Sequence, residues 1–119
     1  MRFARAIGAV LTLAGVTVVH AHAFLDHAEP RVGSTVQATP VEVKIWFTQE
    51  IEQAFSSMSV RDATGQRVNM SDSRVDPSDH TLLRVPVEAL PPGNYKVVWR
   101  VVSVDTHVTE GDFVFRVGQ

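Results

Sequence analysis

Residues 95–102 read YKVVWRVV, and this stretch carries the strongest secondary-structure signal in the chain. Its side chains alternate between two sides, with Tyr95, Val97, Trp99 and Val101 on one and Lys96, Val98, Arg100 and Val102 on the other. A repeat of two is the period of a β-strand, whose successive side chains point to opposite faces. The same period recurs in residues 41–48 and 112–117, and no long stretch after residue 30 has a helical period. The sequence therefore predicts a domain built from strands.

Turn-forming residues divide the remaining sequence into further short segments. Clusters rich in Pro, Gly, Ser and Asp occur at residues 30–34, 63–65, 76–79 and 91–93. Further strand candidates lie at residues 57–62, 67–70 and 81–87, with an edge strand at 22–28 and one helical turn within 49–55. About seven short strands in about a hundred residues indicate an all-β fold, a small antiparallel Greek-key β-sandwich of immunoglobulin-like type. A small closed barrel is the alternative.

The first residues of the chain have the pattern of a secretory signal peptide. Arg2 and Arg5 precede residues 6–19, which carry no charged side chain, and small residues follow at Ala21 and Ala23. As a helix, residues 6–19 would rise about 21 Å, which is short of the bilayer core of about 30 Å. We therefore expect a cleaved signal at residues 1–21 and an exported domain at residues 22–119, rather than a retained membrane anchor. No later segment is apolar enough for stable membrane insertion.

Charge and cysteine content exclude several classes of function. The chain has 11 Lys and Arg, 13 Asp and Glu and a formal charge of −2, and loss of Arg2 and Arg5 would change that charge to −4. A nucleic-acid-binding domain of this size would need a basic face, so we expect no nucleic-acid partner. The sequence contains no cysteine, which excludes disulfides and thiolate chemistry. Stability must then come from burial, with or without a bound ion.

Histidine placement is the informative chemical feature. Of five histidines, His20 falls in the predicted signal, leaving His22, His27, His80 and His107. His107 closes the stretch Ser103-Val-Asp-Thr-His, directly after the best strand. In extended backbone, residues two apart point to the same side, so Asp105 and His107 present a carboxylate and an imidazole together. By itself this pair is also explained by a local hydrogen bond.

The site of signal cleavage determines what His22 can do. A cut after Ala21 makes His22 the first residue, so that its free amine and its imidazole can chelate one metal ion. With a further imidazole and a carboxylate, the donors are three nitrogens and one oxygen, a set that in a tetragonal plane suits Cu(II). Zinc, which prefers a tetrahedron, is not excluded by residue type. A cut after Ala23 fits the small-x-small cleavage preference better and would discard His22.

Three stretches of the sequence resemble the CopC-type periplasmic copper-resistance proteins. They are HAFLDHAEP at residues 22–30, PGNYKVVWRVVSVDTH at 92–107 and GDFVFRV at 111–117. The resemblance covers essentially the whole mature chain. It implies a small β-sandwich that binds one Cu(II) per chain through His22, Asp105 and His107, and a cut placed before His22. It also implies a periplasmic role in copper sequestration, delivery or resistance, with an inner-membrane copper transporter of CopD type as partner.

The chain departs from that family pattern in two respects. Some members hold Cu(I) in a methionine-rich loop, whereas this mature chain has only Met58 and Met70. We expect Met58 in the core and Met70 at a strand end, although Met70 with His80 is a conceivable remnant of a Cu(I) site. His27 is sixth in the mature chain, whereas the short amino-terminal copper motif needs a histidine at the third position, so His27 does not satisfy that motif. It is a possible accessory ligand, and a solvated side chain is the preferred interpretation.

Two other functions compete with copper carriage. A copper-dependent monooxygenase of histidine-brace type would also use an N-terminal histidine on a β-sandwich, and a metal-free immunoglobulin-like interaction module would need no ion. Trp46 and Trp99 could mark a carbohydrate-binding surface, but alternation on strands favours packing in the core or on a sheet face. Because Asp105 would occupy a position in the copper plane, we expect coordination and no enzymatic activity.

Overall fold

The computed structural model describes residues 23–118. The predicted signal segment 1–21 and the predicted ligand His22 lie outside the described residues. The described chain forms β1 Leu25–Glu29, β2 Thr35–Val36, β3 Glu42–Phe47, β4 Ser57–Arg61, β5 Arg74–Asp76, β6 Asp79–Pro86, β7 Gly93–Val102 and β8 Val108–Val117, with a 3₁₀ turn at Gln53–Phe55. Within this part of the chain, no helix has the length and apolar character needed to cross a bilayer.

The strands form two separate four-stranded sheets that pack face to face. The first sheet has the order β1-β3-β6-β5 and the second has the order β2-β8-β7-β4. All pairs are antiparallel except the two-residue β2, which runs parallel to β8. The all-β sandwich predicted from the sequence is confirmed, with eight strands where about seven were expected. Since strand pairing among residues 23–118 leaves two distinct sheets, the closed-barrel alternative is wrong.

The core lies between the sheets and is built from the predicted alternation. Val43, Ile45 and Phe47 of β3 are buried, and so are the residues of β7 that share the apolar side. Phe47 meets Trp99 edge to face at 5.1 Å between ring centroids, joining the two sheets. Each such side chain stabilises the fold by about 1.5–3 kcal/mol through removal from water. In a chain without cysteine, this burial replaces disulfide reinforcement.

The β7–β8 hairpin is the longest pairing in the fold and carries the candidate site at one end. Its register runs from Gly93 opposite Val117 to Val102 opposite Val108. At its far end, the Tyr95 hydroxyl donates to the Pro91 carbonyl at 2.5 Å, a contact of the tyrosine-corner kind at the entry to this strand. The hairpin therefore holds the connecting loop, residues 103–107, on a rigid support.

One predicted strand is wrong and two short strands were not predicted. Residues 67–70 make only isolated bridges, Arg61 to Arg67 and Asn69 to Val87. This segment covers the edge of β4, where the Asn69 side-chain oxygen accepts the Val60 amide at 3.2 Å. The unpredicted strands, β2 and β5, have only two and three residues, too few to show a period. They pair because neighbouring strands supply the partners. The predicted edge strand 22–28 corresponds to β1, and the predicted helical turn corresponds to Gln53–Phe55.

Candidate metal centre

The loop between β7 and β8 is closed by Ser103. This residue is fully buried, its amide donates to the His107 carbonyl at 2.9 Å, and its carbonyl accepts the Thr106 amide at 2.8 Å. The Ser103 hydroxyl also accepts the His107 amide at 3.2 Å. Thr106 adopts a left-handed conformation with φ of 73°, which lets the chain reverse within five residues. The loop is therefore a tight, internally bonded turn.

Asp105 and His107 lie side by side on this turn, as the spacing predicted. His107 Nδ1 is 3.3 Å from Asp105 Oδ1, and the Ser103 hydroxyl donates to the same oxygen at 2.5 Å. Their side chains are 42% and 51% exposed, so both are accessible from solvent. The pKa of Asp105 is lowered chiefly by the Ser103 hydrogen bond and secondly by His107. The loop thus offers a carboxylate and an imidazole held together at one end of the sandwich.

The connection that follows β3 supports this loop from the side. The Val104 amide donates to the Glu50 carbonyl at 3.1 Å, and the Glu52 amide donates to the Val102 carbonyl at 2.9 Å. Ile51 forms an isolated antiparallel bridge with Ser103. The first sheet is thereby tied to the hairpin of the second sheet at the position of the candidate site.

The described chain begins beside the same loop. Ala23 is fully buried, and its carbonyl accepts a hydrogen bond from the Thr109 hydroxyl at 2.7 Å. Phe24 makes two hydrogen bonds to Thr48: its amide donates to the hydroxyl at 3.0 Å, and its carbonyl accepts the Thr48 amide at 2.8 Å. Thr109 is the second residue of β8 and lies two residues beyond His107, the last residue of the loop, a rise of about 7 Å in extended backbone. The residue that follows His22 in sequence is therefore held close to the loop.

His27 has a different set of partners. On the outer face of the first sheet its ring stacks on Trp46, with centroids 4.4 Å apart and planes at 7°. Its Nδ1 lies 2.7 Å from the Asp26 carboxylate. Among residues 23–118, no three His, Asp or Glu side chains are grouped so that they could hold a metal ion. His27 therefore does not join Asp105 and His107, and Trp46 packs on the sheet face as expected.

The suggested pairing of Met70 with His80 is wrong. The Met70 amide donates to the carbonyl of Pro86, the last residue of β6. His80 is near the start of the same strand, six residues earlier, a distance of about 20 Å in extended backbone. Met70 is 65% exposed, whereas Met58 is buried in the core as predicted. These residues do not form a thioether–imidazole site.

Two acidic residues of the first sheet, Glu42 and Asp76, are paired with Arg84. Arg84 donates to the Glu42 carboxylate at 2.5 Å and forms a second ion pair with Asp76. The pKa of Glu42 is lowered, first through its hydrogen bond from Arg84, and the same contacts raise the pKa of Arg84. This cluster stabilises the sheet and is committed to an internal cation.

The sequence contains no indication of the two threonines that bind Ala23 and Phe24, the first of the described residues. Thr48 and Thr109 carry no motif, and Thr109 is 86 residues away from the residue it binds. A hydroxyl facing a distant carbonyl leaves no periodic signal. Only the arrangement of the two sheets reveals the contact.

Fold and loop together define a class: a small all-β sandwich that presents a carboxylate and an imidazole at one end. The CopC domain family model matches residues 25–118, so the chain belongs to the CopC domain family. This confirms the family resemblance seen in the sequence.

The similarity extends over most of the length of each of three known proteins. The chain is 35% identical over 111 residues to Protein YobA of Escherichia coli (strain K12), covering 92% of this chain and 90% of that protein. It is similar to the crystal structure of CopC from Methylosinus trichosporium OB3b, with a TM-score of 0.76 and 35% identity. That match covers 82% of this chain and 94% of the CopC chain. It is also similar to the crystal structure of PcoC from Escherichia coli, a methionine-rich copper resistance protein. The TM-score is 0.70 and the identity is 30%, and the match covers 82% of this chain and 99% of PcoC.

Proposed function

We propose that the mature protein is a periplasmic copper carrier that binds one Cu(II) ion per chain. The ligands are the amine and imidazole of His22, the imidazole of His107 and the carboxylate of Asp105. The observation that carries this proposal is the hydrogen bond from Thr109 to the Ala23 carbonyl, since it holds the chain next to His22 beside the loop of Asp105 and His107. The copper-resistance role of the similar protein PcoC supports the choice of ion.

The donor set matches Cu(II) better than the reduced ion. Nitrogen donors with one carboxylate suit the tetragonal preference of Cu(II), whereas Cu(I) favours softer ligands. Met70 is exposed and Met58 is buried, and neither belongs to the loop at residues 103–107. Reduction should therefore weaken binding and release the ion. A Cu(I)-loaded sample that kept sub-micromolar affinity (a Kd below about 10⁻⁶ M) would contradict this part of the proposal.

The environment of Ala23 supports cleavage after Ala21. A cut after Ala23 would remove a fully buried side chain from the core and would take away the carbonyl that Thr109 binds. A cut after Ala21 preserves both contacts and frees the amine of His22. We therefore propose residues 1–21 as the signal and residues 22–119 as the exported domain.

Coordination, rather than catalysis, is the proposed role. A carboxylate ligand from Asp105 would leave fewer open positions for oxygen on the ion, and the proposed role of the domain is to hold the metal and pass it on. The recipient proposed from the family resemblance is an inner-membrane copper transporter of CopD type. Copper sequestration, delivery and resistance are all served by this one binding event.

The direct experiment is the intact mass of the exported protein, recorded with and without one equivalent of Cu(II). The expected apo mass is that of residues 22–119, and the expected holo mass is greater by one copper ion. A mature chain that begins at Phe24 would lack the chelating residue, and this result would overturn the proposal. A chain that begins at His22 but acquires no copper would do the same.

A further inference from the structure

The two threonines at the start of the described chain lie on opposite sheets. Thr48 directly follows β3 of the first sheet, and Thr109 lies in β8 of the second sheet. Together they make three hydrogen bonds to the backbone of Ala23 and Phe24, at 2.7, 2.8 and 3.0 Å. The chain is therefore fastened across the end of the sandwich by side chains from both layers.

We propose that Thr109 and Thr48 form a clamp that positions the amine of His22 for Cu(II), which makes them positioning residues of the metal centre. This inference rests on the proposed function, because it concerns how the His22 chelate is presented. Neither threonine contributes a donor to the ion. Their role is to restrict the backbone of the two residues that follow the chelating histidine.

The position of each threonine relative to the loop supports this role. Thr109 is in register with Val101 on the hairpin, one pair inward from the end that carries residues 103–107. Thr48 begins the connection whose Glu50 carbonyl accepts the Val104 amide of the same loop. Both arms of the clamp are thus built on the backbone that also holds Asp105 and His107. The start of the chain and the loop share one frame.

Restricting the start of the chain strengthens binding because it lowers the entropy lost when the chelate closes. A chain terminus without tertiary contacts is usually poorly ordered, and ordering it on binding weakens the observed affinity. A clamp that is formed before the ion arrives removes most of that loss. Full burial of Ala23 has the same effect, since it limits fraying of the segment in the metal-free protein.

The test compares single substitutions in the exported protein, with its first residue established by intact mass and Cu(II) as the only added ligand. Thr109→Val removes the hydroxyl at nearly constant volume, and Thr109→Ser retains it. We expect Thr109→Val to weaken Cu(II) binding about three- to tenfold, as loss of one hydrogen bond implies. Thr109→Ser should remain within about twofold of the wild type. Affinity is measured by competition with a chromophoric Cu(II) chelator.

A matched control is available at the opposite end of the sandwich. Thr39 binds Leu90 through two hydrogen bonds of its hydroxyl, at 2.9 and 3.1 Å, far from the loop. Thr39→Val should lower the melting temperature of the metal-free protein while leaving Cu(II) affinity unchanged. The electron paramagnetic resonance spectrum of the Cu(II) protein should change in Thr109→Val and stay as in the wild type in Thr39→Val and Thr109→Ser.

The outcomes separate the clamp from the chelate. Wild-type affinity and spectrum in Thr109→Val would overturn the clamp, even if the chelate is correct. A chain that begins at Ala23 and binds Cu(II) as tightly as one that begins at His22 would overturn the chelate itself. If Thr109→Val does not fold, Thr48→Val tests the other arm with the same expected loss. Unchanged binding in Thr48→Val would then count against the clamp.

Discussion

Gly111 is the position at which a single added methyl group should be most costly for the fold. It lies opposite Trp99 in the β7–β8 hairpin, and the indole covers it. A Cβ at this glycine would come within 2.5 Å of Trp99 Cζ2 and 2.9 Å of Cε2. The ring has little freedom to move, since Trp99 is only 8% exposed and packs edge to face on Phe47.

The expected cost follows from two opposing effects. Overpacking in a core destabilises by about 1–3 kcal/mol, whereas alanine in place of a glycine that has ordinary backbone angles stabilises by about 0.4–1 kcal/mol. Gly111 does not have a positive φ, so the backbone accepts alanine and the steric clash decides the sign. We expect Gly111→Ala to lower the free energy of unfolding by about 1–2 kcal/mol. The melting temperature should fall by about 5–15 °C.

Urea unfolding of the metal-free protein, followed by circular dichroism, measures this effect. The midpoint should fall with an unchanged slope. In the Trp99→Phe background, the same glycine substitution should cost much less, because the smaller ring vacates the contact. The indole Nε1 of Trp99 makes no hydrogen bond within residues 23–118. The Trp99→Phe substitution therefore removes no hydrogen bond in that part of the chain. Gly118→Ala is the control and should cost less than Gly111→Ala. Its Cβ would meet only side-chain atoms, and those at 3.2–3.3 Å. A Gly111→Ala protein as stable as the wild type would refute the reasoning.

Three further predictions concern the site and the two sheets. Asp105→Asn should raise the Kd for Cu(II) about ten- to a hundredfold, because an anionic ligand is lost, and an unchanged Kd in chelator competition would count against this ligand. Arg84 lowers the pKa of the Glu42 carboxyl, so this contact stabilises the fold above the unfolded pKa of about 4.3 and is lost as pH falls through the lowered folded value. The melting-temperature gap between wild type and Arg84→Met should therefore shrink below about pH 4, and a gap independent of pH would contradict the assignment. Tyr95→Phe removes the hydrogen bond to the Pro91 carbonyl and should lower the free energy of unfolding in urea by about 1 kcal/mol. An unchanged midpoint would show that this hydrogen bond does not stabilise the fold.

The proposed site combines one local element with one long-range element. Asp105 and His107 are two residues apart on a turn closed by Ser103, so their pairing is encoded within a few residues. The start of the chain reaches them through Thr109, and the hydrogen bond spans 86 residues of sequence. The clamp test therefore addresses the part of the site that depends on the whole fold.

Long alternating segments were sufficient to predict the main strands and the class of fold. Strands β3, β7 and β8 have six to ten residues, enough for a period of two to be visible and for one face to be buried. The sequence also determined the lack of disulfides and the closeness of Asp105 to His107, because composition and local spacing are independent of tertiary context.

Only the tertiary structure decided the features that depend on distant partners. Strand β5 has three residues, and it pairs because β6 supplies its neighbour and the Gln53 side chain accepts the Val75 amide. Residues 67–70 alternate like a strand but cover the edge of β4 instead. Met70 and His80 are separated by the length of β6, although both lie in one stretch of sequence. Thr48 and Thr109 acquire their role only when the two sheets bring them to the adjacent residues Phe24 and Ala23, since a hydrogen bond between remote residues has no signature in either segment alone.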